Sequence, residues 1–222
     1  MALILNIETT STNCSVSLSQ EGEILVLKED YNNQYSHAES LHVFIDELFK
    51  AANISPETID AVAVSKGPGS YTGLRIGVSA AKGLCFALDK PLLAVSTLEA
   101  LSHQVNNIEG KIVAMLDARR MEVYSAVFDS SHHQIRDIKA EVIDENSFSE
   151  YLQAGNVYFI GSGVDKAKTI ITHPKAVFIE NKLPSAKQMA KLAQSKFIKN
   201  DFEDVAYFEP YYLKDFILNR GV

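Results

Sequence analysis

Cysteine is nearly absent from this chain of 222 residues: Cys14 and Cys85 are the only two. Two distant cysteines supply neither a disulfide framework nor a zinc site. Basic residues are in the minority, 21 against 28 acidic, for a formal net charge of −7. A chain this acidic is poorly suited to grip nucleic acid by itself, because phosphate binding draws on clustered Lys and Arg. Long apolar runs are missing too; none approaches the ~18–20 residues that cross a bilayer. Met1 leads straight into a strand with no basic segment before it, so no signal peptide is expected. HExxH and GxxxxGK[ST] are both lacking, which removes the zincin helix and the Walker loop. What remains is a reduced, soluble, cytoplasmic protein. Its 46% hydrophobic and 22% charged residues suit one large globular domain or two small ones.

The stretch from Ser65 to Lys90 organises the rest. It follows the apolar run Ile59 to Val64 and opens on Gly67, Pro68 and Gly69, a tight-loop signature. Ser70 and Thr72 are good N-cap types, so a helix is predicted from near Thr72. On it Arg75, Ser79 and Lys82 share one narrow stripe, and roughly 220° of the circumference is apolar or glycine. One sheet covers only about half that width. Gly73, Gly77 and Ala80 form a line of small residues, at a cost of roughly 0.5–1 kcal/mol per helical glycine relative to Ala. Such a line admits another backbone closely. It fits either tight packing on the protein's own sheet or, in addition, a partner interface.

Taken in order, Leu3–Ile7, Cys14–Ser19 and Ile24–Leu27 read as an antiparallel meander with Glu8 at the first turn. In the next segment Leu41, Phe44, Ile45, Leu48, Phe49 and Ala52 follow helical spacing, with Ser36 and Glu39 fitting a capping box. Strand Ile59–Val64, the glycine loop and its helix, strand Pro91–Val95 and helix Thr97–Gln104 follow. The pattern then restarts. Strands Lys111–Leu116, Glu122–Phe128 and Ile135–Ile143 flank Asp117 and a turn at Ala118–Arg120. Helix Asn146–Gln153, strand Val157–Ile160, helix Asp165–Thr172, strand Val177–Ile179 and helix Ser185–Ile198 complete the series. Two βββαβα units in tandem predict an α/β fold on the duplicated plan of the actin, hexokinase and Hsp70 (ASKHA) superfamily. The expected halves are residues 1–106 and 107–222.

Four segments carry a closer resemblance: ILNIETTSTNCSVSL, SHAESLHVFIDELF, KGPGSYTGLRIG and LDARRMEVYSAVF, with PYYLKDF in the tail. They span essentially the whole chain, which resembles the bacterial TsaB (YeaZ) family. Glu8 stands where that family usually has Asp. The resemblance implies the duplicated fold and a non-catalytic role. It implies pairing with a TsaD-like subunit that transfers threonylcarbamoyl to tRNA adenosine, and recruitment of a TsaE-like ATPase. It also implies contact through the first two helices of the N-terminal half, and a homodimer through that surface when the chain is alone. On this reading tRNA is met only indirectly.

The chemical candidates are few. His37 and His42 are five apart and diverge by about 140° on a helix, so no metal site is expected. Lys66, Gly67, Gly69 and Ser70 precede a helix N-terminus, which favours anions, and are the candidate phosphate contact. A well-capped turn explains the same residues. Glu8 and Asp117 sit where superfamily kinases place acids, so a standalone small-molecule kinase is the alternative function. Hydrogen bonds from the two acids to turn amides explain them equally. Arg119 and Arg120 are candidate tRNA contacts, against the ordinary role of surface ion pairing. The expected partner-facing residues are Leu41, Phe44, Ile45 and Leu48 from the first helix, and Gly73, Gly77, Ala80, Ala81 and Leu84 from the second. On this expectation Gly77→Arg disrupts pairing and leaves the fold intact. No cofactor is required by this chain, with ATP or ADP at the complex interface.

Overall fold

A computed structural model describes residues 2–31 and 37–214. Ser36 of the expected capping box and the end of the expected tail lie outside the described residues. The first half contains β1 (Leu3–Glu8), β2 (Cys14–Gln20), β3 (Glu23–Asp30), α1 (His37–Ala52), β4 (Ala61–Gly67), α2 (Tyr71–Leu88), β5 (Leu92–Ser96) and α3 (Thr97–Ser102). The second contains β6 (Lys111–Asp117), β7 (Glu122–Phe128), β8 (Gln134–Val142), α4 (Ser149–Ala154), β9 (Val157–Ile160), α5 (Val164–Ile170), β10 (Ala176–Ile179) and α6 (Ala186–Ile198).

The two sheets have the same plan. The first runs β3-β2-β1-β4-β5 and the second β10-β9-β6-β7-β8, the same order read from the other edge. In each, the opening strand pairs antiparallel with its successor and parallel with the strand after the first helix. This is the duplicated ASKHA unit. Its central strands read as continuous apolar runs because both faces are covered. Leu5, Ile7, Val62 and Val64 face one core with Leu41, Leu48 and Ala81 of α1 and α2. Ile4, Ala61, Ala63 and Val95 face the other, against Met189 and Ala193 of α6.

The last helix of each unit crosses over. α6 belongs to the second half in sequence and lies on the sheet of the first. Leu98 and Leu101 of α3 pack reciprocally with Ile112, Ala114 and Phe128 of the second sheet. Side chains fix the starts of these helices: Ser96 accepts from the Glu99 amide, and Ser185 from the Lys187 amide. Asp89, left-handed at φ 52°, ends α2.

Candidate functional site

The site is built around the N-terminal half of α2. Ser70 caps this helix: its Oγ accepts the Gly73 amide at 3.3 Å. The Ser70 amide donates to the Thr10 carbonyl at 2.7 Å, which ties the glycine loop to the β1–β2 turn. Thr9 Oγ1 donates to the Gly73 carbonyl at 2.8 Å. A Cβ on Gly73 would overlap the Thr9 carbonyl oxygen, and one on Gly77 would overlap Thr9 Oγ1. The line of small residues therefore admits a backbone, and that backbone is the protein's own β1–β2 turn. Gly83 differs, because nothing lies near the position its Cβ would take.

This geometry redistributes the expected partner-facing residues. Leu41, Leu48 and Ala81 are fully buried, and Ile45 is nearly so, all in the core against the first sheet. Gly73, Gly77 and Ala80 are buried too. Apart from Ala80, which reaches the groove described below, these residues face the interior, and Gly77→Arg attacks the fold itself. Phe44 is partly buried against the same core. Leu84 is half-buried and lines a groove between α1 and α2, with Ala38, His42, Ile76, Ser79, Ala80 and Gly83. The groove encloses about 440 Å³. Phe86, one turn beyond Lys82, is 86% exposed. The groove and Phe86 are the accessible part of the over-wide apolar surface. Periodicity found its width, and Ile76 and Gly83 stood on its outer side, but nothing in the spacing said that the β1–β2 turn would cover the rest.

The candidate phosphate loop is engaged internally. Gly67 is buried, Lys66, Gly69 and Ser70 are half-buried, and the Lys66 carbonyl accepts the Tyr211 amide at 2.7 Å. The amides of Ser70 and Gly73 are already bonded to the Thr10 carbonyl and the Ser70 hydroxyl.

The two acids repeat the fold's duplication. Glu8 Oε1 accepts the Thr10 amide at 2.6 Å, and Asp117 Oδ1 accepts the Arg119 amide at 2.6 Å. Each is a turn brace two residues long. Their surroundings differ. Glu8 is fully buried, and burial pushes its carboxyl above the usual range despite hydrogen bonds from Thr10. Asp117 is exposed and pairs with Lys166 at 2.9 Å. Arg119 and Arg120 take left-handed φ of 68° and 47° in an exposed turn.

His37 is buried with Nε2 2.7 Å from the Ser11 carbonyl oxygen, while His42 is exposed in the groove. Among the described residues no group of three or more His, Cys, Asp or Glu is placed to hold a metal ion. Burial raises the Cys14 thiol to about 11 and the Cys85 thiol to about 12, so both act as apolar core groups. No helix among the described residues is long and apolar enough to cross a membrane.

Comparison with known proteins agrees with this architecture. The family described as TsaD, tRNA N6-adenosine threonylcarbamoyltransferase, matches residues 31–220. The tRNA threonylcarbamoyladenosine biosynthesis protein TsaB of Haemophilus influenzae is 31% identical, over 96% of this chain and 93% of its own. A tRNA N6-adenosine threonylcarbamoyltransferase of Staphylococcus haemolyticus is 38% identical over 108 residues, 42% of this chain and 32% of its own. The solved structure of YeaZ from Pseudomonas aeruginosa superposes with a TM-score of 0.82 at 26% identity, covering 96% of this chain and 100% of that one. Whole-length likeness to TsaB and YeaZ, within the wider TsaD family, means that this chain belongs to the TsaB (YeaZ) family, whose named members are tRNA threonylcarbamoyladenosine biosynthesis proteins.

Proposed function

We propose that this chain is the non-catalytic partner subunit of a tRNA threonylcarbamoyladenosine-forming complex, acting in the cytoplasm. Its α1–α2 groove docks a TsaD-like catalytic subunit and thereby supports recruitment of a TsaE-like ATPase. The carrying observation is the groove itself: about 440 Å³, lined mainly by apolar and small side chains with His42, on a helix that also exposes Phe86. Exposed apolar surface of this kind marks contact sites. Kinship with a threonylcarbamoyltransferase over 42% of this chain supports pairing between two similarly folded subunits. The same face joins two copies when the partner is absent. The two acids support a role outside phosphotransfer, since Glu8 is fully buried and Asp117 is taken by Arg119 and Lys166. On this reading ATP or ADP sits at the interface with the partner and this chain requires no cofactor of its own; the internally bonded Ser70 and Gly73 amides support the second point. tRNA is met through the complex.

Light scattering tests the reading, on this chain alone and mixed with TsaD from the same organism. The expected result is a homodimer alone that converts to a heterodimer. Gly83→Arg should lower affinity in both assemblies by at least tenfold, with a urea midpoint no lower than the parent's. A monomer indifferent to TsaD, or magnesium-dependent ATP turnover by the lone chain, overturns it.

A further inference from the structure

The segment after α6 returns along the first half and ends on the second. The Glu203 amide donates to the Leu92 carbonyl at 2.9 Å, adding the chain to the edge of β5. Val205 and Phe208 pack on the first core. Lys82 Nζ donates to the carbonyls of Ala206 and Phe208, each at 3.1 Å. The Tyr211 amide donates to the Lys66 carbonyl at 2.7 Å. Backbone bonds and partly buried side chains thus anchor the segment as far as Tyr211.

From Tyr212 to Lys214 the contacts are made by side chains. The Tyr212 ring lies 5.1 Å from the Tyr71 ring, and its hydroxyl accepts from Arg75 Nε at 3.4 Å. The Arg75 guanidinium stands 4.2 Å over Tyr71, so these three side chains interleave on the first turns of α2. Lys214 then reaches the second half. Its Nζ pairs with the Glu122 carboxylate at the start of β7 and lies 5.9 Å from the Tyr124 ring. Lys166 faces Glu122 from α5, taking its backbone carbonyl at 3.3 Å, and is itself paired with Asp117. Among the described residues the Glu122 carboxylate pairs with Lys214.

We infer that residues 211–214 form an electrostatic latch between the halves: Tyr212 grips the start of α2, and the Lys214–Glu122 pair fixes that grip to β7. The ends are unequal in strength. An ion pair with side chains about one-third exposed is weak and is screened by salt. The anchor up to Tyr211 is not. The latch therefore opens without unfolding either half, and its state reaches α2 through Tyr212, Tyr71 and Arg75. Its bearing on partner docking rests on the function proposed above; the latch itself does not.

The test uses the full chain and the variants Lys214→Glu, Glu122→Lys and the double charge swap. The initial rate of chymotryptic cleavage after Tyr211 and Tyr212, followed by mass spectrometry, reports opening. Each single variant should raise it about threefold, the scale of one exposed ion pair, and the swap should restore it. Raising NaCl tenfold should act on the parent chain as a single variant does. The Arg75 backbone amide signal should shift in both single variants and return in the swap. Unchanged cleavage in Lys214→Glu, a swap that behaves like the singles, or an Arg75 signal that never moves overturns the latch. If cleavage and the Arg75 signal respond while TsaD affinity is unmoved, the latch stands and the docking role of α2 falls.

Discussion

Thr9 Oγ1 donates a 2.8 Å hydrogen bond to the carbonyl oxygen of Gly73, closing the first turn of the first sheet onto the helix that borders the candidate groove. Neither residue could make this contact if α2 carried a side chain at Gly73 or Gly77. The glycines cost helix stability so that the turn and the helix can approach.

Gly77→Ala should therefore destabilise the protein, by roughly 1–3 kcal/mol, the usual scale of overpacking. Gly83→Ala, with open space at its Cβ position, should stabilise α2 by about 0.5–1 kcal/mol. Urea unfolding of the two variants side by side checks both. Equal midpoints would mean that the turn yields to the added methyl group.

The succession of strands and helices, the repeat and most helix bounds were legible because they rest on periodicity and turn residues. Val157–Ile160 coincides residue for residue, and α2 begins one residue before the expected Thr72. Leu41, Phe44, Ile45 and Leu48, expected on the partner-facing side, share one apolar face of α1 that turns to the core. Their partner was not legible, because periodicity gives the direction of a face and not what lies opposite. For α1 the opposite surface is the first sheet. For α2 it is the sheet together with the Thr9–Thr10 turn, a contact between residues far apart in sequence. The residues left outside, Ile76, Gly83, Leu84 and Phe86, are what remains after that contact is subtracted.

His103 follows α3, its ring stacked on that of His132 at 4.1 Å. Burial, then His132 and Lys191, pushes its imidazole down to about 4. A depressed value in the folded state means that the unfolded chain binds the proton more tightly. Stability is therefore complete above the ordinary value near 6.5 and drains away as the pH falls toward 4. Allowing for solvent screening at this half-buried site, the loss is on the order of 1–2 kcal/mol. His103→Asn should flatten that part of the pH–stability curve. A curve of the same slope would remove His103 as its source.

Glu8 gives the opposite sign. Its carboxyl is raised by burial, so its contribution is complete below the usual carboxyl range and is lost as the pH climbs through its folded value. Glu8→Gln keeps the acceptor for the Thr10 amide and has no charge to bury. The variant should match the parent near pH 4 and exceed it increasingly at higher pH, read as the urea midpoint. A variant less stable at every pH would show that the ionised carboxylate is what the turn requires.

The crossing of α6 has a consequence for how this protein comes off the ribosome. The first sheet has all its strands once Ser96 is made, yet one of its faces stays bare until Ala186 to Ile198 emerge. At roughly 5–20 residues per second that gap lasts about 5–20 s. Ile4, Ala61, Ala63 and Val95 spend it without their cover. Synthesis of the second half is thus the waiting time of the first, and the nascent chain is an apt client for a chaperone throughout.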